Sequence, residues 1–320
     1  MNSEKPCKLG IVIPCYNEEE VLADTLDTLL ALLDGLGQQN IVSPDSFIYL
    51  VDDGSVDGTF GTIQEFHLTD SRVKALRFTR NFGNQNALLG GLEGARALNP
   101  DCVITMDADL QQDETVIKDF IEKFNKGNEI VFGIRTTTKS VGFFKKFTSK
   151  VFYKFMNLLG AKVVPNHSEY RLMSKKALDI LAQYGEYSLF LRGLFNHIGL
   201  KRSTVKFTAK PRMGGRTKFN WCSLTMLALS GITSFSIAPL RLVVILGILM
   251  SLISFGVGIN VLFEKFILQN TIPGWATIVV CTCFFSGVQI FCLGIIGEYL
   301  GQIFNEVKAR PRYIKDLELV

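Results

Sequence analysis

Apolar runs and amphipathic stretches alternate along the first 136 residues of the chain. The short apolar runs predict five β-strands, at residues 9–14, 47–51, 73–78, 103–106 and 129–134. Apolar spacing and helix-opening residues between them predict helices at 18–33, from 57 onward, at 84–98 and at 113–125. This alternation predicts an α/β domain with a mostly parallel, Rossmann-like sheet that helices cover on both faces.

Two much longer apolar runs follow toward the C-terminal end. Residues 242–263 and 275–297 carry no charged side chain. Each run has the roughly 20 residues needed to cross the core of a bilayer. Pro273 and Gly274 lie in the short connection and predict a turn. The pattern therefore predicts a two-helix transmembrane hairpin over residues 241–298.

Basic residues flank the outer ends of this hairpin, whereas its connection carries Lys265 beside Glu264. The flanking residues are Arg212, Arg216, Lys218 and Arg241 before it, and Lys308, Arg310, Arg312 and Lys315 after it. Because basic residues are enriched on the cytoplasmic side of a membrane, both ends of the hairpin are expected there. We therefore expect a multi-pass protein of the cell inner membrane, with a cytoplasmic domain at 1–217 and a cytoplasmic basic tail at 299–320.

Two further segments have the composition of helices that lie along a membrane surface. Residues 143–159 alternate lysines with aromatic and aliphatic residues at helical spacing, which suits an interfacial helix on anionic lipid. A domain helix with a solvated lysine face is the alternative. Residues 218–240 are too polar to span a bilayer, so we predict a juxtamembrane interfacial helix there.

The composition argues against several classes of protein. The chain has 320 residues, 48% hydrophobic residues and a formal net charge of +4, which gives no indication of nucleic-acid binding. Its seven cysteines lack the paired spacing of a metal site. Neither GxGxxG nor GxxxxGK[ST] occurs, so no motif supports a dinucleotide-dependent dehydrogenase or a P-loop ATPase.

Polar residues collect where the predicted strands end. They are residues 16–18, Asp52 with Asp53, Arg80 with Asn81, residues 107–111, and Arg135. The carboxyl ends of parallel strands share one rim of the sheet, and ligands of open α/β sheets bind in the crevice there. We therefore predict a ligand site at this rim.

The acids after the 103–106 strand are candidates for holding a metal ion. Asp107, Asp109 and Gln111 alternate along the chain, so their side chains can point to one side. Such hard oxygen ligands suit Mg²⁺ or Mn²⁺, usually shared with substrate phosphates. The alternative is a strand end with two solvated acids. Without a glycine-rich phosphate loop, a bound diphosphate would need a metal and arginines.

Three motifs resemble those of family 2 glycosyltransferases of the GT-A fold. They are VIPCYNEE at 12–19, VDDGSVDGT at 51–59 and DADLQ at 107–111. RNFG at 80–83, YRLMS at 170–174, FLRG at 190–193 and the hairpin are similar to polyprenyl-phosphate glycosyltransferases. That group includes bactoprenol glucosyltransferases and, more distantly, dolichol-phosphate mannose synthases. The resemblance covers nearly the whole chain.

The resemblance implies roles for the matched positions. The donor-binding set would be Pro14, Tyr16, Glu18, Asp52, Asp53, Arg80, Asp107, Ala108, Arg212 and Lys218. The last two lie in a basic loop near 210–218 that resembles the family's lid. The metal set would be Asp107, Asp109 and Gln111. The catalytic set would be Asp109, Arg135, Glu169 and Arg171, with the two arginines binding the phosphate of the acceptor lipid.

The implied reaction is the inverting transfer of a hexose from a nucleotide sugar to a polyprenyl phosphate, undecaprenyl phosphate, at the cytoplasmic face of the membrane. UDP-glucose is the favoured donor, and the product would serve modification of cell-envelope glycans. The alternatives are a GDP-mannose-dependent mannose synthase, a processive polysaccharide synthase and a non-catalytic membrane scaffold. A processive synthase usually carries a Gln-x-x-Arg-Trp motif, and Trp221 lacks that context. A homo-oligomer is left open.

Glu169 departs from the apparent relatives, which typically have aspartate before the aromatic residue and Arg171. It could orient Arg171 or Arg135, act as a general base, or be an exposed acid. A phosphate acceptor is already anionic near neutral pH and needs no base. We therefore favour the positioning role.

Overall fold

The computed structural model describes residues 6–136, 167–186, 191–209, 238–266 and 274–320. The predicted interfacial helix at 143–159, nearly all of the one at 218–240, and the predicted lid with Arg212 and Lys218 lie outside these residues. The described chain falls into two compact units. The first comprises Met1–Tyr153, Lys162–Asn220 and Arg310–Val320, and the second Lys154–Ala161 and Trp221–Ala309.

The strands are β1 Leu9–Cys15, β2 Phe47–Asp52, β3 Val73–Phe78, β4 Cys102–Thr105, β5 Ile130–Thr136, β6 His167–Ser174, β7 Arg202–Thr208 and β8 Lys315–Leu319. The helices are α1 Glu19–Gln38, α2 Thr59–Thr69, α3 Asn84–Ala97, α4 Ile117–Asn125, α5 Lys175–Leu181, α6 Leu191–His197, α7 Ala238–Phe266 and α8 Trp275–Lys308. A short 3-10 turn, Glu114–Val116, precedes α4.

The eight strands of the described residues form one sheet in the order β7-β5-β6-β4-β1-β2-β3-β8. The strands β4, β1, β2 and β3 are parallel neighbours at its centre. β6 is antiparallel to both β4 and β5, so β5 runs in the same direction as β4. β8 lies antiparallel to β3 at one edge. The predicted α/β fold with a mostly parallel sheet is confirmed.

Each face of the sheet carries its own apolar core, as a sheet covered on both sides requires. Ile11 and Ile13 of β1 point to the face that α1, α2 and α4 cover. Val12 points to the other face, beneath α3, α5 and α6. Full burial of one such apolar side chain stabilises the fold by about 1.5–3 kcal/mol, which explains why the central strands are almost entirely apolar.

Glycines let helix α3 approach the sheet closely. A Cβ atom on Gly91 would lie 2.4 Å from Val12 Cγ1, and one on Gly94 would lie 2.2 Å from the hydroxyl oxygen of Tyr49. Neither position can accept a larger residue without displacing the sheet below. The close packing fixes α3 against β1 and β2, and with it the loop that precedes α3.

The two apolar segments near the C-terminus are helical, as α7 and α8. Among the described residues, Val280–Lys308 is long and apolar enough to cross a membrane, whereas the apolar stretch Val243–Val257 is shorter. The described residues thus support one candidate span, and the two-helix hairpin stays a prediction. α8 also continues ten residues past the predicted end of its span at 298. The predicted basic tail therefore begins as helix and ends in strand β8.

Candidate functional site

The first loop, which follows β1, and the second loop, which follows β2, are joined by hydrogen bonds between side chains and backbone. Asn17 has a left-handed backbone, with φ +53°, and its N–H donates to Ser55 Oγ at 3.0 Å. Its side-chain Oδ1 accepts the N–H of Val56 at 3.0 Å. The N–H of Glu18 donates to Thr59 Oγ1 at 2.9 Å. These contacts place Tyr16 and Glu18 beside the second loop.

Asp57 and Glu19 strengthen this junction at the start of α2. Asp57 Oδ1 accepts the N–H of Thr59 at 3.1 Å and its hydroxyl at 2.6 Å. Glu19 Oε2 accepts the N–H of Gly58 at 2.9 Å. Partial burial raises the pKa of Asp57, but the hydrogen bonds from Thr59 and from the N–H of Glu19 outweigh it and leave the pKa below its ordinary value. The helix that residues 57–59 predicted thus begins at Thr59, and the Asp57 carboxylate bonds to the backbone two residues on, as in an Asx turn.

Asp53 joins the third loop, which follows β3, to the second. Its Oδ1 accepts the N–H of Phe82 at 2.7 Å, and its Oδ2 accepts the N–H of Gly83 at 2.9 Å. Burial raises the pKa of Asp53, and the two N–H donors partly offset this. Gly54, with φ +68°, lies so close to the loop that a Cβ there would be 2.4 Å from the carbonyl carbon of Arg80. The second and third loops therefore form a single packed unit.

Asp52 is turned into the protein. Its side chain is fully buried, Oδ1 accepts the N–H of Ser55 at 3.0 Å, and Oδ2 lies 3.4 Å from Arg77 Nε. The described carboxylate contacts of Asp52 and Asp53 are thus made to the protein's own loops. Pro14 and Tyr16 are partly exposed and Arg80 is exposed, with its guanidinium 4.0 Å from the centre of the Phe82 ring.

The predicted metal ligands lie directly after β4, and Asp107, Asp109 and Gln111 are all partly exposed. Asp107 Oδ2 accepts a hydrogen bond from Gln112 Nε2 at 2.7 Å, and its N–H donates to Gln112 Oε1 at 3.1 Å. Asp109 Oδ1 accepts the N–H of Gln111 at 3.2 Å. Sequence reasoning missed Gln112, which fixes the orientation of Asp107.

The backbone between these ligands is also fixed. Leu110 adopts φ +49°, which turns the chain between Asp109 and Gln111. The carbonyl of the buried Ala108 accepts the Thr25 hydroxyl of α1 at 2.7 Å. Within the described residues, no group of three or more His, Cys, Asp or Glu could hold a metal. Two carboxylates and one amide oxygen still fit a hard cation that takes its other ligands from phosphate or water.

A buried polar cluster lies where β6 starts at the same rim. Glu169 and Arg171 are 5% and 1% exposed and form an ion pair through Oε2 and Nη2. Gln85 of α3 donates to Glu169 Oε1 at 3.3 Å and accepts the N–H of Leu191 at 3.3 Å. The Arg171 guanidinium lies 4.9 Å from the ring centre of Phe195. The interpretation of Glu169 as an exposed acid is therefore wrong.

Arg135 is exposed, whereas Glu169 and Arg171 are buried. Arg135 lies near the end of β5, opposite Phe207 of β7. Because β5 and β4 run in the same direction, Arg135 is at the same rim as the acids of β4. The described part of the chain thus brings residues 16–18, 52–53, 80–81, 107–111 and 135 to one rim, together with Glu169 and Arg171.

Loss of the Asp53 carboxylate should release the third loop. In Asp53→Ala the N–H groups of Phe82 and Gly83 lose this acceptor, and we expect the free energy of unfolding to fall by about 1–3 kcal/mol. Denaturant unfolding of the detergent-solubilised chain measures this free energy. The control is Asp27→Asn, because Asp27 is exposed. A stability equal to that of the control would show that Asp53 does not hold the loop.

The chain is similar in sequence to known glycosyltransferases over most of its length. The model for "Glycosyl transferase family 2" matches residues 10–199. The "Uncharacterized glycosyltransferase YkoT" of Bacillus subtilis is 43% identical over 311 residues, covering 97% of this chain and 92% of its own. The "Bactoprenol glucosyl transferase" of Shigella phage SfII is 35% identical over 308 residues, covering 96% and 97%. An Escherichia coli "Prophage bactoprenol glucosyl transferase homolog" is 34% identical, covering 96% and 98%.

Solved structures give a more distant likeness. Glucosyl-3-phosphoglycerate synthase from Mycobacterium tuberculosis, solved with Mn²⁺ and UDP-glucose, is 16% identical, with a TM-score of 0.48 and coverage of 72% of this chain and 78% of its own. The family assignment rests instead on the family model, which spans more than half of the chain, and on the near full-length relatives. The chain belongs to glycosyl transferase family 2, as its motifs predicted.

Proposed function

We propose that this enzyme transfers glucose from UDP-glucose to a polyprenyl phosphate at the cytoplasmic face of the membrane. The observation that carries the proposal is the likeness to bactoprenol glucosyl transferases, which extends over at least 96% of both chains. The likeness therefore includes the apolar C-terminal helices as well as the α/β domain. An acceptor that is itself a membrane lipid would require both the α/β domain and the apolar helices.

The donor half of the site would be the rim formed by the first three loops and the acids of β4. Asp107, Asp109 and Gln111 would hold Mg²⁺ or Mn²⁺ against the donor diphosphate. When bound, the cation would offset the negative charge that builds on the leaving diphosphate. Gln112 keeps Asp107 oriented, and the N–H of Gln111 does the same for Asp109. The two carboxylates would thus be oriented before the donor arrives.

The acceptor half would be formed by Arg171 and Arg135. A lipid phosphate is already an anion, so the protein must aim and desolvate it rather than remove a proton. Glu169 fixes one edge of the Arg171 guanidinium, and Phe195 covers its face. A single displacement at the anomeric carbon inverts the sugar. An α-linked donor would then give a β-linked product.

The C-terminal helices would hold the enzyme at its lipid substrate. Large apolar side chains of α8 are exposed in the structure, including Phe284 at 57%, Ile290 at 70% and Leu293 at 65%. A soluble protein rarely exposes such a continuous apolar surface, whereas a lipid bilayer would cover it. We extend the proposal to a multi-pass protein of the inner membrane, with α7 as the second span.

The full chain in detergent should convert polyprenyl phosphate into a glycolipid when UDP-glucose is the donor. Excess chelator should stop the reaction until Mg²⁺ or Mn²⁺ is restored. Asp109→Asn should lower kcat by about 100-fold or more, because charge on the leaving diphosphate is no longer offset. The exposed Asp119→Asn is the matched control. Product is scored by mass spectrometry across a panel of sugar nucleotides.

Each outcome of this assay has a separate meaning. A preference for GDP-mannose would replace the proposed donor with that of a mannose synthase. Full activity in excess chelator would remove the metal role from Asp107 and Asp109. No transfer from any donor would favour the non-catalytic scaffold.

Changes to the Glu169–Arg171 pair should affect the KM for the acceptor more than the KM for the donor. Glu169→Gln should raise the KM for polyprenyl phosphate by about 3- to 30-fold and leave the donor KM nearly unchanged, because Arg171 loses the charge that orients it. Arg171→Ala should have a larger effect, and the double variant should be less than additive. A Glu169→Gln enzyme with normal acceptor KM, and without the wild-type fall of kcat at low pH, would instead identify Glu169 as a base.

The proposed topology places the connection between α7 and α8 outside the cytoplasm. The test introduces single cysteines at Thr271 and at Val320, one at a time, in a cysteine-free background. The two positions should differ in their labelling in intact cells. An impermeant maleimide should reach position 271 and fail to reach position 320. Labelling of neither position before lysis would contradict the two-span arrangement.

A further inference from the structure

The C-terminal strand β8 completes the sheet at the edge of β3. Leu319 lies opposite Ala75 and Leu317 opposite Arg77, in antiparallel pairing. The N–H of Thr79 donates to the carbonyl of Ile314 at 3.1 Å, which extends the pairing beyond the strand. An edge strand left open presents unpaired N–H and C=O groups, so β8 satisfies groups of β3 that would otherwise face solvent.

Side chains fix the strand at both of its ends. The ring of Tyr313 stacks on Phe78, with ring centres 4.6 Å apart, and its hydroxyl donates to Glu93 of α3. At the other end, the hydroxyl of Tyr49 donates to Glu318 Oε1 at 2.8 Å. Burial raises the pKa of Tyr49, so its hydroxyl stays a donor. The strand is therefore specified by side chains and is more than a fortuitous contact of a polar tail.

The pairing register shifts at the point where Arg77 lies. Arg77 is opposite Leu317 and Phe78 is opposite Lys315, so Asp316 is an additional residue on β8. Such irregularities bend a strand and redirect a side chain. Asp316 Oδ2 lies 3.9 Å from Arg77 Nε. The irregularity thus presents a carboxylate to the arginine.

Arg77 in turn contacts the donor half of the site. Its Nε lies 3.4 Å from the fully buried Oδ2 of Asp52, and its guanidinium lies 4.6 Å from the ring centre of Phe60. That oxygen has no hydrogen-bond partner within the described structure, so the nearby guanidinium is its compensating charge. The other oxygen of Asp52 accepts the N–H of Ser55, whose hydroxyl accepts the N–H of Asn17.

We propose that Arg77 is a positioning residue of the donor site and that the C-terminal strand holds it against Asp52. The contacts run from β8 through Arg77 and Asp52 to Ser55, and from there to the loop that carries Tyr16 and Glu18. This inference rests on the proposed function for the identity of the donor. It adds that the segment following the apolar helix α8 is part of the nucleotide-binding structure.

The test measures nucleotide affinity and amide hydrogen exchange in the full detergent-solubilised chain. UDP and GDP are titrated with Mn²⁺ present, by calorimetry, and the one that the wild type binds is used throughout. Arg77→Gln and a truncation after Pro311 should each weaken its binding by about 3- to 30-fold. Combined, they should be less than additive, because both act on Asp52. Exchange at Ser55 and Val56 should be faster in both.

Matched variants separate this role from general destabilisation. Arg96→Gln removes a guanidinium of similar exposure that lies 3.8 Å from Asp179, and it should leave both measurements unchanged. Asp316→Asn should have a smaller effect than Arg77→Gln, because an exposed ion pair is weak. If the truncated chain does not fold, the Arg77→Gln and Asp316→Asn pair gives the same double-variant comparison. The KM for polyprenyl phosphate should stay unchanged in every variant.

Two results would overturn the inference. One is wild-type nucleotide affinity in Arg77→Gln, and the other is unchanged exchange at Ser55 and Val56 in that variant. A wild-type chain that binds neither UDP nor GDP would contradict the proposed donor instead. In that case the exchange measurement still decides whether Arg77 positions the Asp52 loop.

Discussion

The arrangement of the rim depends on two buried carboxylates that are compensated by the protein itself. A carboxylate removed from water is costly unless donors or an opposite charge replace the lost hydration. Asp53 has the N–H groups of Phe82 and Gly83, and Asp52 has the N–H of Ser55 with Arg77 beside it. Satisfying these charges forces the second and third loops together. The loop after β1 joins them through Asn17, whose N–H donates to Ser55 Oγ.

The acids at the strand ends therefore divide into two kinds. Asp52 and Asp53 are buried and join loops, whereas Asp107 and Asp109 are partly exposed at the end of β4. Only carboxylates of the second kind have the access that a cation and a diphosphate require. The same logic extends to Glu169, whose buried charge is compensated by Arg171. In each case local compensation keeps a charged group in one orientation, which is the condition for preorganised binding.

Much of the α/β domain could be predicted from the sequence because its strands are continuous apolar runs. The strands β1 to β5 lie within two residues of the predicted bounds, and the predicted rim of polar residues is present. β6, β7 and β8 were not predicted, because HSEYRLMS, RSTVKFT and KDLEL carry charges and lack a continuous apolar run. β6 pairs with β4 and β5, β7 with β5 and β8 with β3, so each depends on a partner strand that is distant in the sequence. The inward orientation of Asp52 could not be predicted either, since it depends on Arg77 of a neighbouring strand. The metal and acceptor roles stay predictions.

We infer that the loops after β1, β2, β3 and β4 form one preorganised site for a nucleotide sugar. Hydrogen exchange measured by mass spectrometry, on the full chain with and without UDP-glucose and Mn²⁺, tests it most directly. The bound ligand should slow exchange together at residues 14–18, 52–59, 80–83 and 107–112, and should leave exchange in the helix α5 unchanged. Protection confined to other parts of the chain, or absent from the first three loops, would contradict it.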